Sequence, residues 1–145
     1  MSSMAIFVTG APLASQAALS ALRFCIASEA AGVKVSQVFF YSEAAAVANK
    51  MVTPIDDELN LSEAWADFAQ RTGTPLAVCI ASSERRGVLD QASLRENIEN
   101  IDSADTRASD QSLVKAATLA AGFQVTGLGV FHDAMLAANR LVTFR

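Results

Sequence analysis

The sequence predicts one α/β domain, with three layers (helix, sheet, helix) and a mostly parallel sheet of about five strands. Three observations carry that prediction. Short apolar runs rich in β-branched and aromatic residues recur from one end of the chain to the other, each too short to be a helix. Longer segments with apolar residues at helical spacing lie between them, and Gly or Pro marks most of the junctions. Strands that alternate with helices inside one domain pair in parallel, because each helix carries the chain back to the same edge of the sheet. The 145 residues, 1–145, suit a single domain and show no linker, internal repeat or low-complexity tract. A chain of this size buries roughly two-thirds of its unfolded surface, so it needs neither disulfide nor structural metal to fold.

Taken in order, residues 4–9 form an apolar run that stops at Gly10, the pattern of a fully buried strand. Gly10, Ala11 and Pro12 make the loop. Ser15 is placed to cap a helix over 15–31, and Gly32 suits the left-handed position beyond its end. Residues 33–40 are the second strand, with Val33, Val35, Val38, Phe39 and Phe40 as its β-formers. An Ala-rich stretch, 43–50, is a short helix, and Thr53, Pro54 and the carboxylates Asp56, Asp57 and Glu58 belong to the loop after it. Leu61, Ala64, Trp65 and Phe68 share one face of a helix over 61–71, which Gly73, Thr74 and Pro75 end. Residues 76–81 are the third strand, 87–101 are partly helical, and 102–111 form a polar surface loop. A helix over 112–121 closes at Gly122; a fourth strand (123–127), a last helix (130–139) and a terminal strand (141–144) follow.

Composition narrows the function classes. The formal net charge is −4, and the eleven Lys and Arg are scattered apart from Arg85-Arg86. A protein that grips a phosphate backbone needs a basic face, so direct nucleic-acid binding is not expected. An acidic protein can still serve nucleic-acid metabolism through protein partners. Residues 1–3 carry no Lys or Arg, and the apolar run behind them spans about six residues, too few for a signal peptide or a membrane span. The two cysteines, Cys25 and Cys79, are therefore expected to be free thiols in a reducing, cytoplasmic compartment. One His and two separated Cys fall short of a zinc-ligand set, so no metal is implied.

Open parallel sheets gather functional groups where loops diverge at the carboxyl ends of strands. The loop 10–15 lacks both the Gly-x-Gly-x-x-Gly and the Gly-Lys-Ser/Thr patterns, and reads as a turn with a helix cap. The segment leaving the third strand holds more chemistry: Cys79 is followed by Ser82, Ser83, Arg85 and Arg86. A nucleophilic thiolate needs its charge stabilised, and Arg side chains or the N–H groups of a helix start do that. Cys79 is thus the candidate nucleophile, with Ser82, Ser83, Arg85 and Arg86 as candidate support for its negative charge. The opposing reading makes Cys79 a packed core residue, since Cys is among the most buried residue types. Cys25, at helical spacing with Leu22 and Glu29, reads as packing. His132 has no identifiable orienting partner for a Cys–His pair and reads as a surface histidine. The run Asp56, Asp57, Glu58 is a solvated loop of the wrong charge for holding a thiolate.

Several pieces, collinear over nearly the whole chain, match one family pattern. They are Phe7-Val8-Thr9-Gly10; Val38-Phe39-Phe40-Tyr41 with Glu43 and Ala48-Asn49; Cys79 with Arg85-Arg86-Gly87-Val88; Thr126-Gly127-Leu128-Gly129; and Asn139-Arg140-Leu141-Val142 with Phe144. Together they resemble the DsrE-like family of sulfurtransferases. The resemblance implies a carrier that accepts sulfane sulfur as a persulfide on Cys79 and passes it to a partner protein, in the 2-thiolation of the tRNA wobble uridine. It implies a heterohexamer with two related subunits, TusB and TusC, a sulfur donor TusA and a sulfur acceptor TusE, and it calls for no cofactor. Two other readings stand beside it. One is a DsrE-type subunit of dissimilatory sulfur oxidation, with the same fold and chemistry; the other is a non-catalytic α/β binding subunit in which Cys79 is only packed. A flavodoxin-like electron carrier is disfavoured, because no phosphate-cradling loop rich in Ser, Thr and Gly follows the first strand.

Overall fold

The strands β1 (Ser3–Val8), β2 (Lys34–Phe40), β3 (Leu76–Cys79), β4 (Phe123–Thr126) and β5 (Arg140–Phe144) form one sheet in the order β4-β3-β2-β1-β5. Every neighbouring pair is parallel. The computed structural model describes residues 1–101 and 110–145. Its helices are α1 (Ala17–Ala30), α2 (Leu61–Thr72), α3 (Ile80–Glu84), α4 (Gln91–Ile101), α5 (Asp110–Ala116) and α6 (Leu128–Ala137), with a 3-10 helix, Ser42–Ala48, after β2. This is the expected α/β fold with a five-stranded parallel sheet.

Strand order explains where the helices go. The chain steps outward from β1 to β2, β3 and β4, then returns across the whole sheet to β5. Parallel crossovers are right-handed, so the outward steps place α1 and α2 on one face and the return step places α6 on the other. The first face carries the main core. Ile6, Val8, Val38, Phe40, Leu76, Val78 and Phe123 pack there with Ala18, Ala21, Leu22 and Cys25 of α1 and Trp65 and Phe68 of α2. Phe40 and Trp65 meet edge-on with ring centroids 5.2 Å apart, and Trp65 meets Phe68 the same way at 5.9 Å. Fully burying a side chain of this kind stabilises the fold by roughly 1.5–3 kcal/mol. The second face is covered differently: α6 lies against β1 and β2, and none of its residues is fully buried.

Local differences from the sequence expectation have identifiable causes. α1 starts at Ala17, because the Ser15 hydroxyl turns back to donate to the Ala11 carbonyl while accepting the Ala17 N–H at 3.3 Å. Gly32 has φ +79, as the end of that helix requires. The Ala-rich segment is a 3-10 helix entered through Ser42 at φ 55. α2 is capped by Asn60, whose side chain accepts the Glu63 N–H, and ends at Gly73 in the left-handed conformation. β3 is two residues shorter than expected, since Ile80 and Ala81 already belong to α3. The helix expected over 112–121 ends at Ala116. There the Thr118 hydroxyl donates to the Gly87 carbonyl and accepts the Leu89 N–H, drawing the chain out of the helix. Of the polar loop expected over 102–111, residues 102–109 lie outside the described residues, and Asp110 and Gln111 open α5. α6 begins at Leu128, earlier than expected, and stops at Ala137. Just beyond, Asn139 exchanges hydrogen bonds with the backbone of Ser3, which sets β5 beside β1.

Gly10, at the exit of β1, is fixed by space. A Cβ there would stand 2.5 Å from the Ala17 Cβ, 2.6 Å from the Ser15 hydroxyl and 2.8 Å from the Arg145 backbone. Gly127, by contrast, has nothing within 4 Å and an ordinary extended backbone. Gly10→Ala is expected to destabilise the fold by about 1–3 kcal/mol, whereas Gly127→Ala leaves it almost unchanged. Urea midpoints of the two variants check this; equal midpoints would contradict the packing described at the β1 exit.

Candidate functional site

Side chains alternate along β3, so Leu76 and Val78 enter the main core while Ala77 and Cys79 point to the second face. Cys79 is the last residue of the strand (φ −60, ψ 129) and the N-cap residue of α3. It packs in a small cluster with Phe39 and Ala77, closed by Phe7 and Phe131. Phe131 comes from the first half of α6, and its ring lies 4.7 Å from that of Phe7 and 4.9 Å from that of Phe39. The β3–β4 register pairs Cys79 with Thr126. The sulfur therefore sits at the carboxyl rim of the sheet, as expected, but it is covered: Cys79 is only 5% exposed. The aromatic cluster and the immediate start of α3 account for that burial.

The structure places Ser82 and Ser83 in α3 and Arg85 and Arg86 directly after it, and the side chains of Ser82, Ser83 and Arg86 brace this segment. The Ser82 hydroxyl accepts the Ser42 N–H at 2.9 Å, tying the exit of β3 to the exit of β2. The buried Ser83 hydroxyl donates to the Ile80 carbonyl at 2.8 Å. Arg86 forms a two-pronged ion pair with Glu43 and also donates to the Ser82 carbonyl at 3.0 Å. The hydrogen bond from Arg86, and then its charge, hold the Glu43 carboxyl below the usual carboxylate range. Arg85 is exposed. The first turn of α3 supplies backbone N–H groups at Ile80, Ala81 and Ser82, which a helix start leaves without intrahelical acceptors.

Three features of the site escaped the sequence reading. Phe7 was visible as part of the first strand's family pattern and Phe131 only as an apolar residue, and nothing in their spacing ties either to Cys79. Thr126 ends a strand, so the carboxyl-end rule could have singled it out, but only the β3–β4 pairing places it beside Cys79. Its hydroxyl oxygen is buried and has no hydrogen-bond partner.

The remaining candidates fall elsewhere. Cys25 is fully buried in the main core, and burial, with Glu29 adding to it, pushes its thiol up to about 12. Such a thiol is inert at neutral pH. His132 is exposed on α6 with Asp133 at 3.7 Å. Asp56, Asp57 and Glu58 are exposed in their loop. The loop 10–15 lends Pro12 and Leu13 to an apolar recess with Val52 and Ile55, the wrong surroundings for an anion. Among the described residues, no group of three or more His, Cys, Asp or Glu could hold a metal ion, and no helix is long and apolar enough to cross a membrane.

With the geometry in place, comparison with known proteins gives a consistent result. The model of the DsrE/DsrF-like family matches residues 2–144. Sulfurtransferase TusD of Proteus mirabilis (strain HI4320) is 36% identical over 139 residues, which cover 96% of this chain and 95% of that protein. Sulfurtransferase TusD of Serratia proteamaculans (strain 568) is 37% identical over 139 residues, 96% of each chain. The crystal structure of the ychN protein from E. coli shares the fold with a TM-score of 0.69 at 19% identity, over 99% of this chain and 100% of that one. Matched along almost its whole length by the family model and by two sulfurtransferases, the chain belongs to the DsrE/DsrF-like family.

Proposed function

We propose that this chain is a sulfur-carrier subunit in which Cys79 accepts sulfane sulfur as a persulfide and passes it to a partner protein's cysteine, in the relay for tRNA wobble-uridine 2-thiolation. The observation that carries the reading is the place of Cys79. In a chain whose full-length relatives are sulfurtransferases, it ends β3 at the carboxyl rim, on the face the main core does not use. The other cysteine is locked in the core with a raised pKa.

The chemistry is a thiolate exchange. The Cys79 thiolate attacks the outer sulfur of a donor persulfide, R–S–SH. The bond from Sγ to that sulfur forms as the donor's own S–S bond breaks, the donor leaves as RS⁻, and Cys79 holds the persulfide Sγ–SH. The second transfer repeats the step with the acceptor's thiolate attacking the outer sulfur, and Cys79 leaves as a thiolate. Neither step has a net oxidant, so the chain's own residues need only favour an anion and admit a partner. Backbone N–H groups around Ser82 and Ser83 at the α3 start, with Arg85 or Arg86 beside them, are assigned the first task. For the second, the outer sulfur of a persulfide extends about 2 Å beyond Sγ, which brings it toward the rim that Cys79 itself barely reaches.

The second face supports assembly with other subunits. α6 has no buried residue, and Leu128, Val130, Leu136 and Leu141 are 52%, 45%, 69% and 42% exposed. Exposed apolar side chains gathered on one helix and the neighbouring edge strand suit an interface with another subunit. Two related subunits, TusB and TusC, are the proposed cover, with TusA as sulfur donor and TusE as acceptor. The free thiols suit a cytoplasmic setting.

The 5% exposure of Cys79 favours one competing reading, a thiol that is only packed. Peptide mapping by mass spectrometry after incubation with a persulfide donor separates the two. The carrier reading expects the mass of one added sulfur on the Cys79 peptide and none on the Cys25 peptide; sulfur on Cys25 alone, or on neither, contradicts it. Affinity purification of the chain from its native cells tests the assembly. Two related subunits should accompany it at gentle salt, and recovery of the chain alone at monomer size would count against the proposed cover.

A further inference from the structure

The hydroxyl of Thr126 is a buried group without a partner. Buried polar side-chain atoms are hydrogen-bonded in the large majority of cases, so an orphan of this kind asks for an explanation. Its position supplies one. Thr126 is the register partner of Cys79 in the parallel β3–β4 pair, so the two side chains leave the same face of adjacent strands about 5 Å apart. One residue further on, Gly127 is the N-cap of α6, and no side chain caps that helix. Phe131 from the same helix closes the Cys79 cluster, so the start of α6, with the positive end of its dipole, lies over this corner of the sheet. A neutral donor and a helix start thus lie on the β4 side of Cys79, while α3, which carries Ser82 and Ser83, leaves from Cys79 itself.

We infer that Thr126 holds the sulfur anion: its hydroxyl donates a hydrogen bond to the outer sulfur of the Cys79 persulfide. The inference rests on the carrier reading above and adds a residue to it. The unloaded thiol makes no hydrogen bond with Thr126. Loading adds an acceptor about 2 Å beyond Sγ, and a charged sulfur is a stronger acceptor than a neutral thiol. The bond stabilises Cys79–S–S⁻ over its protonated form. It also fixes the direction in which the outer sulfur is presented, so the acceptor's thiolate meets it in line with the S–S bond that breaks.

The test compares the full-length wild type with Thr126→Val, which keeps the shape and removes the hydroxyl, and Thr126→Ser, which keeps the hydroxyl. Thr126→Ala serves as a second hydroxyl-free variant should the Val protein fail to fold. Each is loaded with an inorganic polysulfide, and the pH profile of alkylation of the loaded persulfide is measured beside its melting midpoint before loading. A merely structural threonine predicts unchanged profiles, and removing an unsatisfied buried hydroxyl predicts an unloaded Val variant at least as stable as wild type. The inference predicts that all the proteins load on Cys79. The Val and Ala profiles then move to higher pH by about one unit, a roughly tenfold lower rate below the midpoint, and Ser restores the wild-type profile. Intact loading with superimposable wild-type and Val profiles would overturn the role of Thr126 and leave the carrier reading standing. A wild type that does not load at Cys79 would overturn both.

Discussion

The handedness of parallel crossovers governs this structure. The outward steps put α1 and α2 on one face of the sheet, and the return step, from β4 at one edge to β5 beside β1, puts α6, a helix of ten residues, on the other. At 1.5 Å per residue that helix is about 15 Å long, shorter than the width of a five-stranded sheet with strands about 4.8 Å apart. One face therefore becomes a finished core, while the other stays a thin aromatic layer with apolar surface left over. The division follows from topology, and the placement of the two cysteines follows from the division.

Cys25 and Cys79 show what each face does to the same chemical group. Cys25 lies on α1, within the finished core and near Glu29, where an anion has neither solvent nor a donor, and its thiol is raised to about 12. Cys79 stands at a strand end, where one chain leaves β3 into the first turn of α3 and a second leaves β4 through Thr126 into the first turn of α6. Both exits present helix starts. The side chains around the β3 exit also hold one another: Arg86 pairs with Glu43 and donates to the Ser82 carbonyl, and the Ser82 hydroxyl anchors the backbone of Ser42. They hold the exits of β2 and β3 in fixed relation.

The legible part of the sequence was the part governed by local rules. Alternating apolar runs and helical segments gave five strands and their helices, and Gly32 and Gly73 marked helix ends because only a glycine takes the left-handed position cheaply. The end of β3 was missed because Ile80 and Ala81 are as apolar as a strand, while the hydroxyl of Ser83 and the tether at Ser82 turn the chain into a helix. The end of α5 was missed because Thr118 is held by Gly87 and Leu89, partners far along the chain. Strand order was not legible at all, and with it went Thr126 and the Phe7–Phe39–Phe131 cluster, whose relation to Cys79 exists only after β3 and β4 pair and α6 crosses the sheet. The place of Cys79 at the carboxyl end of a strand was legible; the aromatic cover that buries it was not.

The central claim is that the second face holds the working sulfur and the first face holds an inert one. Transfer of isotopically labelled sulfur from the loaded protein to an acceptor cysteine, measured for Cys79→Ala and Cys25→Ala alongside their melting midpoints, tests it most directly. The account predicts that Cys79→Ala stays folded and transfers nothing, while Cys25→Ala melts lower and transfers at the wild-type rate. A folded Cys79→Ala protein that still delivers labelled sulfur at the wild-type rate would contradict it.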